Sequence, residues 1–597
     1  MADLASNLGT MLRASWRADR LRSAGALVTT GLIPVTRPLR AIGLGVFVDG
    51  VISGDHRRMV TGVAIVAGLT GVNRMLDWAS LTIRMRLREH TILFLDQKVM
   101  ELAAGAPGLE HHERPDLQDH MELLRIDRGY LVNPFMPIAW TLASVIQIAV
   151  TVLVLARLHP VLALLPVAGV PSLLATIRVE GMREKVRRQE AERTRLLLHL
   201  LELTTEAPAG KEVRVFGLAD ELVRRHREVF DDVERAQVRF NVRSALIMAT
   251  GWTTFALGYM AAIAFVALRA VDGALSVGAV VITFSMGAQI NGQLSELVAN
   301  ITWFSRTANA IGRFRWLQKY ADEAEAAVTP RDPRPAPERL RDGVTLDDVG
   351  FAYPGTDVPV LDHVSLRLPA GSTVAIVGEN GAGKTTLVKL LCRFYEPTHG
   401  TIEVDGTDLR CFAIDEWRAR LAGGFQDFAR LQFVALESVG VGDLRHFESE
   451  PAVMGALTRA AADDVLPSLP DGLATQLGRD FDGGVELSVG QWQKVALGRA
   501  MMREAPLVLV LDEPTASLDA PTEHALFERF AGAAREAAAH NGAITVLVSH
   551  RFSTVRMADL IVVVAGGRVT EAGSHDQLMD ADGMYAELYR LQARGYG

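Results

Sequence analysis

Cysteine is almost missing from this chain: Cys392 and Cys411 are the only two in 597 residues. So few thiols exclude a disulfide scaffold and fit a reducing compartment. Two inert thiols in or near a core is the plain reading of the pair. An excess of basic residues is missing as well. The formal net charge is -8 and the pI is near 6.0, which leaves no footprint for nucleic acid. The N-terminus lacks a short apolar core followed by a small-residue cleavage site, so no cleaved secretory signal is read there. It carries instead Arg13, Arg17, Arg20 and Arg22 ahead of the first apolar stretch. That arrangement predicts a cytoplasmic segment over residues 1–22.

Hydrophobic residues make up 49% and charged residues 22%, with a mean hydropathy of +0.17. This is high for a soluble enzyme and low for a channel that is all membrane, so one apolar half and one soluble half are expected. The length also exceeds a single hydrophobic core. A helix crosses a bilayer with roughly 20 mainly apolar residues. Residues 134–156 and 160–177 carry no charge, the second broken by Pro166 and Pro171. Residues 244–268 form the cleanest stretch, and 273–295 runs into Glu296. In lipid the backbone must bond to itself, so these segments are helices. Residues 23–48 are interrupted by Arg37 and Arg40, and 59–73 is short and ends at Arg74 and Asp77. Hydropathy alone supports four spans and permits six. Either even number returns the soluble half to the side of the N-terminus.

Residues 78–130 and 179–243 mix Arg and Glu at helical spacing and read as water-exposed helix. Polar residues at membrane depth have two readings. Gln147, Gln289, Asn291, Gln293 and Glu296 either line a substrate path or bond one helix to another. Arg37 is either a cavity residue or the snorkelling edge of a span. Residues 327–341 hold Pro330, Pro333, Pro335 and Pro337 among charges, the composition of an extended connector.

The second half carries phosphate chemistry. After the β-rich run 373–377 come Gly378, Glu379, Asn380, Gly381, Ala382, Gly383, Lys384, Thr385 and Thr386, then a helical pattern. This fits G-x-x-x-x-G-K-[ST] with the right element on each side. Glycines let backbone N–H groups close on phosphate oxygens, and the helix N-terminus adds its dipole. Lys384 would reach the β- and γ-phosphates, and the Thr385 hydroxyl would hold Mg²⁺. A continuous apolar run, 507–511, ends in Asp512 and Glu513, as a buried parallel strand would. Asp512 suits the Mg²⁺ shell, and Glu513 is placed to polarise an attacking water. A third run, 544–548, ends at Ser549 and His550; three strand ends would converge on one crevice, with His550 on the γ-phosphate. Ser488, Val489, Gly490 and Gln491 open a helix, a second anion site. One chain does not use both sites on one phosphate chain, so a second copy facing the first is expected.

At this point the second half resembles the ATPase domain of ABC transporters over 344–597. The resemblance implies that Tyr353 stacks on adenine, that Gln426 links the metal site to the membrane half, and that Ser488–Gln491 acts in trans as the signature loop. It also implies that Asp519 belongs to the D-loop and His550 is the switch histidine. Val489 departs from the family's usual glycine; Ser488 and Gly490 remain, so activity is expected to survive. The first half resembles the exporter-type membrane domain. The implied architecture is a six-helix all-α transmembrane domain over 23–326 with long cytoplasmic extensions, a linker over 327–343, and an α/β P-loop ATPase domain. Residues 110–118 and 211–217 sit where short coupling helices would press on the ATPase domain.

The implied cofactors are ATP and Mg²⁺, and the implied partner is a second copy, with a heterodimer also open. Stretches 424–430 and 478–487 are similar to those of exporters of lantibiotic-like modified peptides, so a peptide or other amphipathic substrate is expected. About 22 residues precede the first apolar stretch and no cysteine lies in the membrane half, so no leader-cleaving protease domain is expected. With 8 Trp and 8 Tyr, the composition does not suggest an aromatic-rich drug pocket. Multidrug or lipid export, import on an exporter-like fold, and a soluble ABC ATPase are the alternatives; uncharged spans argue against the last.

Overall fold

The computed structural model describes residues 2–131, 135–206, 209–514, 529, 532, 535–549 and 555–595. Packing divides the chain into two units, and the division is not a single cut in sequence. One unit joins Met1–Glu101 to Glu122–Leu317; the other joins Leu102–Met121 to Gln318–Gly597.

The regular structure described in the first unit is helical. Among the described residues, five helical stretches are long and apolar enough to cross a membrane: Arg20–Ser53, His56–Gly105, Met136–Leu158, Pro160–Gln189 and Ala219–Val271. The first two contain the weaker sequence candidates. Arg37 and Arg40 lie inside a continuous helix, as do Pro34 and Pro38. Charge lowers the hydropathy of that segment without breaking its backbone bonding. The helix Val277–Val328 is 52 residues long but is not among the five. Gln289, Asn291 and Gln293 dilute its apolar end. Composition therefore yields five spans where the resemblance implied six, although the sixth long helix is present. The charged stretch 179–243 is also not one helix: it breaks into Val170–Gln189, Ala191–Thr205, Gly210–Val215 and the start of Ala219–Val271.

Small residues and single polar bonds join these helices. The Gly278 N–H donates to Asp49 Oδ1 at 2.6 Å, and a Cβ at Gly278 would lie 2.3 Å from the Gly45 carbonyl oxygen. Thr36 Oγ1 donates to Asn73 Oδ1 at 2.7 Å. Around them Leu155, Leu162, Val266, Met286 and Ile290 form an apolar core.

The second unit holds two sheets. Its strands are β1 (Gly343–Ala352), β2 (Pro359–Pro369), β3 (Thr373–Val377), β4 (His399–Val404), β5 (Thr407–Asp408), β6 (Leu421–Gly424), β7 (Val508–Asp512), β8 (Ile544–Val548), β9 (Leu560–Ala565) and β10 (Arg568–Gly573). The antiparallel sheet runs β2-β1-β4-β5 and the mainly parallel sheet runs β10-β9-β3-β8-β7-β6. Every residue of β7 and β8 is buried, as strands covered on both faces require. That is why both read in the sequence as unbroken apolar runs. Cys392 is buried, and burial pushes its thiol up to about 12; Cys411 is half-buried and also unpaired.

Leu102–Met121 belongs to this unit by packing. Leu109 lies against its main apolar core, and the Arg418 guanidinium donates to the Pro107 carbonyl at 2.6 Å. The short helix Glu110–Glu113 follows, and Pro115 opens the next one, Pro115–Ile126.

Candidate functional site

The site begins with strand order. β3 pairs with β8 and β8 with β7, all parallel, and one row runs Ile376–Val548–Asp512. The carboxyl ends of three strands therefore open on the same crevice, where open parallel sheets bind ligands.

The chain leaving β3 needs two of its glycines for shape. Gly378 has φ +149°, and a Cβ there would lie 2.1 Å from the Val564 carbonyl oxygen. Gly383 has φ +105°, and its Cβ would meet Leu361 Cδ2 at 2.7 Å. With both positions bare, the loop closes and the helix Lys384–Leu391 starts directly behind it. Lys384 is buried, and its Nζ donates to the carbonyls of Gly378 and Glu379, each at 2.9 Å. Desolvation lowers its pKa, while Glu513 and Asp512 pull the other way. The result is a cation held by two carbonyls of the loop, at the start of a helix, a placement suited to a polyphosphate.

A cavity of about 650 Å³ lies over this loop, lined by Tyr353, Val360, Asn380, Gly381, Gly383, Lys384, Thr385, Thr386, Gln426 and Glu513. Residues predicted from separate motifs thus share one wall. Tyr353 donates to or accepts from Thr386 Oγ1 at 3.1 Å, and its ring stands edge-on to Phe351 and Tyr395. Lys389 Nζ lies 5.2 Å from the Tyr353 ring centre. Lys389 and the Tyr395 hydroxyl both donate to the Glu113 carboxylate, at 2.7 and 2.6 Å. Sequence reasoning missed this trio. The contact spans 276 residues for Lys389, and although Glu113 lies in the stretch 110–118, nothing in the sequence pairs it with Lys389 or Tyr395.

Glu513 follows β7 with φ +47°. The left-handed conformation costs a non-glycine residue roughly 1–2 kcal/mol. It is held there by its N–H donating to the Val548 carbonyl at 3.0 Å, and by Gln493 Nε2 donating to its own carbonyl at 3.4 Å. The turn takes the carboxylate off the strand and into the cavity wall, strain stored where a function would use it.

Asp512 is buried, and its Oδ1 has no hydrogen-bond partner among the described residues. Burial raises its pKa even though the Thr385 hydroxyl bonds to the carboxylate. An orphaned anionic oxygen beside a hydroxyl fits a hard divalent cation such as Mg²⁺, with Thr385 and Gln426 both lining the cavity. Without an ion the buried carboxylate has only the Thr385 hydroxyl and the Lys384 charge to offset its desolvation. Asp512→Asn is therefore expected to raise the melting temperature of the nucleotide-free protein by a few degrees. It should also abolish the extra stabilisation that Mg²⁺ adds to bound nucleotide. A variant that melts lower than wild type without nucleotide would show that the charge is already compensated.

Ser488 caps the helix Val489–Ala500 in a reciprocal box: its side chain accepts from the Gln491 N–H, and its own N–H donates to Gln491 Oε1 at 2.9 Å. Val489 is the first helical residue and about half exposed. A helical backbone does not call for glycine, so the valine fits without strain. Ser488, Val489, Gly490 and Gln491 do not line the nucleotide cavity of their own chain. Asp519 and His550 lie outside the described residues.

The polar set in the helical unit is split. Gln293 is buried and donates to Thr151 Oγ1 at 3.3 Å, the helix-to-helix bond. Asn291 is buried with neither side-chain atom bonded among the described residues. Gln289 is half-buried and donates to its own helix at Ser285, while Glu296 and Arg37 are exposed. Gln147 is buried with an unbonded Nε2 among the described residues.

The family profile described as ABC transporter matches residues 361–516. An ATP-dependent lipid A-core flippase of Chromobacterium violaceum is 31% identical over 424 residues, which cover 70% of this chain and 67% of the relative. A protein of the same description from Thiobacillus denitrificans is 38% identical over 270 residues, 45% of this chain and 44% of the relative. The chain thus spans less than half the length of that relative. Among solved structures, that of a bacterial Atm1-family ABC exporter with ATP bound aligns with a TM-score of 0.73. It covers 96% of this chain and 98% of that one at 24% identity, a likeness of fold.

Proposed function

This chain belongs to the ABC transporter family, as an exporter-type half-transporter, and on that premise we propose that it spends ATP to move a lipid-like amphipathic molecule outward across a membrane. The carrying observation is the cavity that gathers Tyr353, the loop residues Asn380, Gly381, Gly383, Lys384, Thr385 and Thr386, Gln426 and Glu513 in one wall. Such a wall binds a nucleotide and positions a base beside its terminal phosphate. Lys384 neutralises the β- and γ-oxygens, the loop N–H groups and helix N-terminus hold them, and Tyr353 stacks on adenine. Glu513 accepts a proton from the attacking water. Mg²⁺, when bound through Thr385, Asp512 and Gln426, supplies charge neutralisation at the phosphates.

A second copy completes the site. Ser488–Gln491 lies off the cavity of its own chain, at a helix start suited to an anion, so it would close on the γ-phosphate bound by the partner. Asp519 and His550 would sit at that same junction. ATP would then clamp the two copies together and hydrolysis would release them, turning the membrane half between inward- and outward-open states. Residues 110–118 and 211–217 carry the motion. Val215 and Phe216 are 78% and 68% exposed, an apolar surface that an ATPase domain could cover.

The lipid reading rests on the flippase relatives, one of which aligns over more residues than the ATPase half contains. The lantibiotic-like peptide reading rested on ATPase-half stretches alone. The test is ATP turnover in nanodiscs with a glycolipid or a leader-bearing peptide added separately. Stimulation by the glycolipid, with translocation between leaflets that Glu513→Gln abolishes, is expected. Stimulation by the peptide alone would overturn the substrate class.

A further inference from the structure

We propose that Asp348, His363 and His399 form a surface site for one divalent transition-metal ion, Zn²⁺ by ligand type, which clips β1, β2 and β4 together. The three residues lie far apart in sequence and on three strands, yet their ligating atoms all fall within 4.8 Å of one another. His363 Nδ1 is 2.6 Å from one Asp348 oxygen, and His399 Nε2 is 2.7 Å from the other. The two imidazoles stand edge to face, 5.6 Å between centres, on either side of the carboxylate.

The backbone is bent to make this meeting. Asp348 and His363 both have φ +53°, a left-handed conformation that is unfavourable for a side-chain-bearing residue. The β1 pairings to β2 and β4 both slip around Asp348, between Asp347 or Leu346 and the next paired residue. The Asp348 N–H leaves the ladder and donates to Ser365 Oγ at 3.1 Å. Gly400, beside His399, passes so close that a Cβ there would lie 2.3 Å from the Asp348 carbonyl oxygen. Two strained residues and a close glycine thus aim three donors at one point.

The donor set selects the metal. Two imidazoles and one carboxylate suit Zn²⁺ and its neighbours, not Mg²⁺ or Ca²⁺, which take oxygen. Tetrahedral bonds of about 2.0–2.1 Å place ligand atoms about 3.3 Å apart. The side chains are about half exposed, at 49%, 60% and 61%. They can rotate by that much, and water can fill the remaining position. Asp362, 3.8 Å from His363 Nε2, is engaged by Arg568 at 2.5 Å and stays outside the set.

The test is calorimetric titration of ZnCl₂ into the full-length protein in nanodiscs, with the nucleotide site filled by Mg²⁺ and ADP. One resolved site per chain is expected, at least tenfold weaker in each of Asp348→Asn, His363→Asn and His399→Gln. Asparagine tolerates positive φ, so the first two variants keep the backbone, and unchanged ATP turnover with Mg²⁺ and without Zn²⁺ checks all three. Bound Co²⁺ should show visible absorption of a tetrahedral nitrogen–oxygen site. No binding, equal affinity in wild type and variants, or a thiolate charge-transfer band from Cys411 would each overturn the proposal.

Discussion

Glu513→Gln is expected to cut ATP turnover by about 10²- to 10⁴-fold, the ordinary contribution of a positioned general base. Binding of ATP should stay within a few-fold of wild type. The substitution is nearly isosteric and removes only the proton acceptor. It leaves the Val548–Glu513 backbone bond and the bond from Gln493 in place, because both use main-chain atoms of residue 513. Phosphate release and binding of a fluorescent ATP analogue, measured on the same preparation, separate the two effects. If the variant keeps more than a tenth of wild-type turnover, the base lies elsewhere and the φ +47° turn has another purpose.

Lys384→Ala should fail at the earlier step. A hydrogen bond to a charged group contributes about 1.5–3 kcal/mol, so affinity for ATP should fall roughly 10- to 100-fold, with turnover lost at any practical concentration. The side chain is buried and bonded to two carbonyls of its own loop, so truncation also leaves those acceptors unpaired. Circular dichroism and a thermal melt must show that the chain still folds. The two variants together make a diagnostic pair: one binds without turning over, the other does not bind. Lys384→Ala binding ATP as wild type does would remove the lysine from the phosphate site.

The parts of this protein that could be read from sequence are those in which chemistry is local. The glycine loop, Lys384, Thr385, Asp512 and Glu513 each sit at one end of a single strand, so spacing along the chain predicts spacing in the fold. The buried runs that became β7 and β8 were legible for the same reason. The capping box at Ser488 needs four consecutive residues, and it shows why Val489 is harmless to the backbone. Helix count was harder, because Arg37, Arg40 and the glutamines of Val277–Val328 change hydropathy without changing helix formation. Long-range pairs were invisible: nothing near Lys389 points to Glu113, and Asp348, His363 and His399 share no motif. Gln293 and Thr151, too, meet only because two helices pack.

The grouping of Leu102–Met121 with the ATPase unit has a practical bearing on protein engineering. A soluble fragment cut where the sequence changes composition would discard that peptide. It would leave bare the apolar patch that Leu109 covers and strip Lys389 and Tyr395 of their shared carboxylate. The compact unit is thus discontinuous in the sequence. A minimal soluble version would need residues 102–121 grafted back, through a short linker or as a separate peptide, before its stability or nucleotide affinity could stand for that of the intact chain.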